Sequence, residues 1–331
     1  MKMKRKLYLI IYVAVCAVVW AACTDERTEV YAGDDACIRL GASVVGIESA
    51  TRVASASVYE GSSPSSARPF KADVCFSNTN GEYGTDGVEP TYVPCRTQMT
   101  FDGSLVYAKT SDGANNLKYA TTRDNPPSVY CVGFYPQGKW KIVDNNESAT
   151  ATIDGSTDLM FASQQTGSWS NPLKELPFNH MLAWLKVCIC ATSQEAPAAW
   201  GEIQSISINS ADGLSVNLGT GTVTYNTSTS DIVAVENKTL HTTMQEVGSV
   251  LCAPDTEYTL TIVTTNAGKR TKTLQLTDLE GNKIAKEEDV KGKLFILSLY
   301  FNEFDVVEGV CTLNAWNNQD EDLYLDRPAT P

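Results

Sequence analysis

Along most of the chain, hydrophobic positions recur every second residue rather than every third or fourth. In Tyr258–Ile262 apolar and hydroxyl residues alternate, as in a strand with one buried face. Similar short runs occupy Cys37–Val45, Asp73–Phe76, Gln98–Phe101, Ser128–Phe134, Ala149–Ile153, Met181–Ala191, Ile203–Ile208, Thr222–Tyr225, Val250–Cys252, Thr271–Leu276, Leu294–Phe301 and Val310–Leu313. Clusters of Gly, Asn, Asp, Ser and Thr separate them, which is turn chemistry. Long amphipathic helical stretches are almost absent, so the pattern predicts an all-β protein built of sandwiches. The abundance of Thr, Val and Tyr agrees with that.

The start of the chain breaks the pattern. Lys2, Lys4, Arg5 and Lys6 precede an uncharged, largely apolar run of 16 residues, Leu7–Ala22. It is shorter than the roughly 20 apolar residues that cross a bilayer, and its flanks are those of a secretory signal. Small residues directly before Cys23 resemble the lipobox of bacterial lipoproteins, with Trp20 where that box usually carries Leu. The expectation is a signal peptide over residues 1–22, with Cys23 as the lipidated N-terminus. Cleavage by an ordinary signal peptidase, leaving Cys23 a plain thiol, is the alternative. A lipidated Cys23 would hold the protein at a membrane surface, since each buried CH₂ adds about 0.8 kcal/mol.

Composition sharpens this. The 331 residues, 43% of them hydrophobic and 20% charged, provide ample apolar surface for folded cores, and the length suggests two domains. A polar, small-residue stretch with a proline at 192–199 suggests the boundary, giving sandwiches over 53–195 and 196–331; a rival boundary lies near Asn171-Pro172. The Ser-rich piece Ala54–Arg68 reads as a linker, and Asn78–Pro94 and Thr110–Pro127 as surface loops. The formal net charge is -13. Losing the four leader cations takes it to about -17 by subtraction, which disfavours nucleic acid and anionic headgroups as partners. Of the ten cysteines, Cys16 leaves with the leader, and most others sit inside apolar runs as small buried hydrophobes rather than in a disulfide framework.

Catalytic and cofactor motifs are missing. No His-Glu-x-x-His, phosphate loop or nucleophile elbow occurs, and the only histidines are His180 and His241. His180, in Leu176-Pro-Phe-Asn-His180-Met-Leu-Ala-Trp184, is expected at the start of a core strand, bonded to a loop carbonyl. Cys188-Ile189-Cys190 lacks the spacing and the second pair of a zinc site. The carboxylates Asp34/Asp35, Glu287/Glu288 and Asp320–Asp322 read as solvated faces. No enzyme activity, cofactor or metal is expected. Trp140, Trp169 and Trp200 stand in polar, loop-like contexts where they would stack on sugars, or cap a core.

Several fragments together resemble the fimbrillin family, the lipoprotein-type pilins of certain Gram-negative anaerobes. They are the lipobox-like leader, Ile38-Arg-Leu-Gly followed by Ala50-Thr-Arg52-Val53, Val132-Gly-Phe-Tyr-Pro136, Asp158-Leu-Met-Phe-Ala162, Leu176–Val187, the strand 293–299, and Val310-Cys-Thr-Leu-Asn-Ala-Trp316. The resemblance implies two tandem transthyretin-like β-sandwiches and an outer-membrane lipoprotein precursor. It also implies an Arg-specific protease that removes the first strand, and assembly with other fimbrial subunits by strand exchange. On that basis the cut falls between Arg52 and Val53, residues 23–52 form a propeptide, and Val310, Leu313 and Trp316 belong to the donor strand. Arg27 and Arg39 are weaker cut sites, because one precedes the strand and the other lies inside it. A host protein or glycan is the expected receptor. The competing reading is a monomeric outer-membrane lipoprotein that binds glycans.

Overall fold

In the computed structural model the described residues are 36–45, 64–78, 80, 83, 95–120, 127–143, 147–278, 280–303 and, as backbone only, 306–314. They are nearly all β. The strands are β1 (Arg39–Val45), β2 (Phe70–Ser77), β3 (Cys95–Phe101), β4 (Val106–Tyr107), β5 (Val129–Tyr135), β6 (Trp140–Val143), β7 (Ser148–Thr152), β8 (Met160–Gly167), β9 (Glu175–His180) and β10 (Ala183–Ala191). After a short helix, α1 (Ala196–Trp200), come β11 (Ile203–Ala211), β12 (Gly213–Asn217), β13 (Val223–Tyr225), β14 (Thr229–Lys238), β15 (Gln245–Cys252), β16 (Glu257–Thr264), β17 (Gly268–Thr277), β18 (Leu294–Phe301) and β19 (Val306–Asn314).

One sheet has the order β3-β2-β5-β8-β9-β1-β4. Its end strands β3 and β4 are consecutive in the chain and lie close together, so the sheet curls toward closure. The curl wraps a core of Phe70, Phe101 and Phe178, all fully buried, while Phe134 faces the other way, against Trp140 and Phe161. The Phe70 ring stacks on Tyr135 with centroids 4.2 Å apart and meets Phe178 edge-on at 4.8 Å, geometries that aromatic quadrupoles favour.

The second sheet has the order β14-β11-β16-β17-β19-β18-β10-β15. It folds into two layers, because β17 and β19 pair only at Leu276↔Cys311 and Thr277↔Thr312. At the opposite seam β14 and β15 come together over Gly248, where a Cβ would lie 2.0 Å from the Ala234 carbonyl oxygen. Only glycine allows that approach. Between the layers lie Leu260, Ile262, Leu276, Phe295, Leu297 and Leu299, contributed by alternate positions of their strands.

A third sheet, β13-β12-β7-β6, draws strands from both halves of the chain. The loop after β7 also reaches the second sheet: Leu251 N donates to the Gly155 carbonyl at 2.8 Å. Gly155 has φ +79°, and a Cβ there would lie 2.1 Å from Ile232 Cγ2.

The run Met181–Ala191 is not one strand beginning at the histidine. His180 ends β9 in the first sheet, and β10 begins at Ala183 in the second. Met181 and Leu182, both buried, form the crossing. The stretch 192–199 contains α1 rather than open linker. Trp200 at its end is 1% exposed, donates through Nε1 to the Asn302 carbonyl, and meets Phe301 edge-on at 5.1 Å.

Candidate functional site

Among the described residues, strand β1 is the one element of the first sheet that the chain contributes before Arg52. It runs parallel to β9 through five residue pairs, Gly41↔Glu175 to Val45↔Asn179. On its other side only Arg39↔Tyr107 and Leu40↔Val106 pair, with β4. Ile38, Leu40 and Val44 are 2%, 0% and 3% exposed, so alternate side chains of the segment fill an apolar slot. The backbone pins its start: Ile38 N donates to the Leu117 carbonyl at 2.8 Å, and Ala108 N donates to the Ile38 carbonyl at 2.9 Å. Burying each of these aliphatic side chains contributes about 1.5–3 kcal/mol. Without β1, β9 and β4 would part and the slot would face water.

Arg39 lies within this strand, its guanidinium carbon 4.5 Å from the centre of the Tyr107 ring. That cation–π contact and the pairing to β4 hold it in the sheet. Arg27, Cys23, Arg52, Val53 and Trp316 lie outside the described residues.

At the other end of the chain, β19 pairs antiparallel with β18 along almost its whole length, from Leu294↔Asn314 to Phe301↔Val306. The register sets Val310 opposite Ser298 and Leu313 opposite Phe295. These two donor candidates therefore occupy opposite faces of the strand, and only the Leu313 position belongs to the row of buried Phe295, Leu297 and Leu299. With only two pairs to β17, β19 has one strong ladder and one weak one.

Other expected positions fall elsewhere. His180 is buried at the end of β9 with Nδ1 2.9 Å from Asp158 Oδ1, so its partner is a carboxylate rather than a loop carbonyl. Met160↔His180 pairing brings the Asp158–Ala162 and Leu176–Val187 fragments together as neighbouring strands. Trp140 is 2% exposed in β6 and donates through Nε1 to the Tyr135 carbonyl at 2.9 Å. Trp140 and Trp200 are thus core residues and offer no sugar platform, while Trp169 packs partly buried against the core. A feature the sequence did not expose is the buried Asp73, which accepts from Arg96 Nη2 and Gly138 N, each at 2.7 Å. It ties β2 and β3 to the turn before β6. An aspartate inside the strand run Asp73–Phe76 was the available signal.

The fold has relatives among solved structures. An adhesin-type protein of Bacteroides thetaiotaomicron aligns with 85% of this chain and 96% of its own at 8% identity, with a TM-score of 0.50. A cell-adhesion-type protein of Bacteroides uniformis aligns with 86% of this chain and 100% of its own at 17% identity, with a TM-score of 0.48. A polysaccharide-binding-type protein of Bacteroides thetaiotaomicron gives 87%, 99%, 10% and 0.48 for the same measures. No curated protein matches the chain significantly. The sequence model of a family described as fimbrillin-like matches residues 97–316, from within β3 through the second and third sheets, with β1 and β2 ahead of the match. By that match the chain belongs to the fimbrillin-like family.

Proposed function

We propose that the protein is a structural or adhesive subunit of a cell-surface fimbria, exported as a lipoprotein on Cys23, cut between Arg52 and Val53, and assembled by strand exchange. The observation that carries this reading is the placement of β1. It lies wholly N-terminal to Arg52, and its buried Leu40 and Val44 sit between β9 and β4. A cut there detaches the covalent link between β1 and the rest of the sheet. Loss of β1 leaves unpaired backbone groups on β9 beside an apolar slot, and a strand from a neighbouring subunit repairs both together. Strand β19, with Val310 and Leu313 and continuing toward Trp316, is the donor in this proposal, since one of its two ladders is only two pairs long. Residues 23–52 are then the propeptide, and 53–195 and 196–331 the two sandwiches. Other subunits are the first partners, with a host protein or glycan as the receptor.

The test is the N-terminus and mass of the protein taken from the native cell surface, before and after an Arg-specific protease. A chain beginning at Val53 in heat-labile, SDS-resistant ladders is the expected result. Retained lipid on Cys23 with monomer alone would overturn strand exchange and favour a monomeric outer-membrane lipoprotein that binds glycans.

A further inference from the structure

The third sheet ends at β13, which among the described residues pairs only with β12. Asn217 N donates to the Thr222 carbonyl and Asn226 N to the Gly213 carbonyl, both at 2.9 Å, so the ladder runs from Thr222 to Asn226. Thr222, Thr224 and Asn226 therefore direct their backbone groups at β12. By the alternation of an antiparallel ladder, Val223 and Tyr225 direct theirs the other way. Natural sheet edges are commonly blunted by proline, charge or a bulge. The run Thr222–Asn226 has no proline and no charged residue, and β13 pairs with β12 in unbroken register.

The open side is a cleft of about 700 Å³, walled by β13, the end of β11, the start of β16 and the turn Glu287–Lys291. An added strand lies about 4.8 Å from its neighbour, which places it inside that cleft. The wall is acidic: Asp255, Glu287 and Glu288 are exposed on it, and Lys291 is the one cation among the described residues that line it. None of the three carboxylates has an ion-pair partner among the described residues. The acidic wall reaches β13 itself, since burial and then the Glu287 charge push the Tyr225 hydroxyl up. That hydroxyl donates to the Met181 carbonyl, so Tyr225 is already anchored by its side chain and offers its backbone to the cleft.

An occupant of this edge has to bring extended backbone for Val223 and Tyr225 and cations for the carboxylates. A second copy of the chain, with its net charge of -13, is repelled, and a neutral sugar leaves the carboxylates unanswered. We propose that β13 takes an added strand from another protein, an extended segment with lysine or arginine at alternate positions, held by backbone pairing to Val223 and Tyr225 and by charge to Glu287 and Glu288. Backbone bonds in such an added strand supply affinity, and the carboxylates select the sequence. The site uses none of the residues assigned to strand exchange.

The experiment is fluorescence anisotropy with a labelled short peptide of alternating threonine and lysine, on the full chain carrying Cys23→Ser and Arg52→Ala, which prevents lipidation and the proposed cut. Saturable binding is expected, with the dissociation constant rising at least about tenfold in about 0.5 M salt. Glu287→Lys/Glu288→Lys should weaken it by a similar factor, and the peptide with glutamate in place of lysine should not bind. Val223→Pro removes the N–H that faces the cleft and spares the ladder to β12, and should also weaken binding with every charge in place. The lysine peptide N-methylated at every residue keeps its charge but cannot donate to an edge, so it should bind at least about tenfold more weakly, a comparison that needs no protein variant. Unchanged circular dichroism confirms that the variants fold. No binding of the lysine peptide, binding indifferent to the charge reversal, or equal binding of the N-methylated peptide overturns the proposal. Because this chain cannot be cut, a failure of strand exchange leaves the result unaffected.

Discussion

His180 Nδ1 lies 2.9 Å from Asp158 Oδ1, with the two side chains 2% and 0% exposed. Twenty-two positions apart in sequence, they lock the junction where the chain leaves the first sheet for the second. Removing one partner strands a buried polar group on the other. Asp158→Ala should therefore lower unfolding stability by about 3 kcal/mol. Adding His180→Ala should cost much less than the sum of the singles. Urea denaturation of the four members of that cycle checks it.

Leu40 is fully buried in β1, so Leu40→Ala should destabilise the uncut chain by about 2–4 kcal/mol. If β1 leaves on maturation, the same substitution has no effect on the chain that begins at Val53. Comparing denaturation midpoints before and after Arg-specific proteolysis reads this directly.

Gly248→Ala should open the seam between β14 and β15. Its Cβ would lie 2.0 Å from the Ala234 carbonyl oxygen, a backbone atom that moves only with its strand. A cost of about 2 kcal/mol or more is expected, with faster hydrogen exchange at 232–236 and 246–250.

Asp154 sets an acid limit. Burial pushes its carboxyl up, but the Thr157 hydroxyl and the Ser156 and Thr157 backbone amides outweigh that and hold it at about 2. An unfolded aspartate titrates near about 3.9. The stability this carboxylate contributes is full above that value and is lost as pH falls toward about 2. Asp154→Asn should flatten that part of the stability–pH curve, measured by urea denaturation from pH 5 to pH 2.

Burial pushes the Cys75, Cys188 and Cys252 thiols up to about 12. At pH 8 their thiolate fraction falls on the order of a thousandfold below that of an unfolded cysteine. Peptide mapping after iodoacetamide should find these three protected in the native chain and alkylated in urea.

Alternation exposed most strands that have one clean apolar row, such as Tyr258–Ile262 within β16. It missed β14, where only Ile232 and Val235 of ten residues are buried, because a strand polar on most positions has no period to detect. It merged the crossing with β10, because Met181–Ala191 is apolar apart from Lys186 and periodicity does not say which sheet a residue enters. Trp200 follows a small-residue stretch, yet it is covered by Phe301, about a hundred positions away, whereas Trp140, between Lys139 and Lys141, is covered by the nearby Phe134.

What the sequence determined by itself is the class of structure and the kin. Side-chain alternation is a local consequence of the pleat, so it survives in the one-dimensional order. The fragments at 158–162, 176–187 and 310–316 carry the family by their residues alone. Tertiary structure alone decided that β1 seats between β9 and β4, that Asp158 meets His180, and that the third sheet joins strands from both halves of the chain. Each of these joins positions far apart in the chain, and strand partners and register follow from the packing of whole faces rather than from neighbours in sequence.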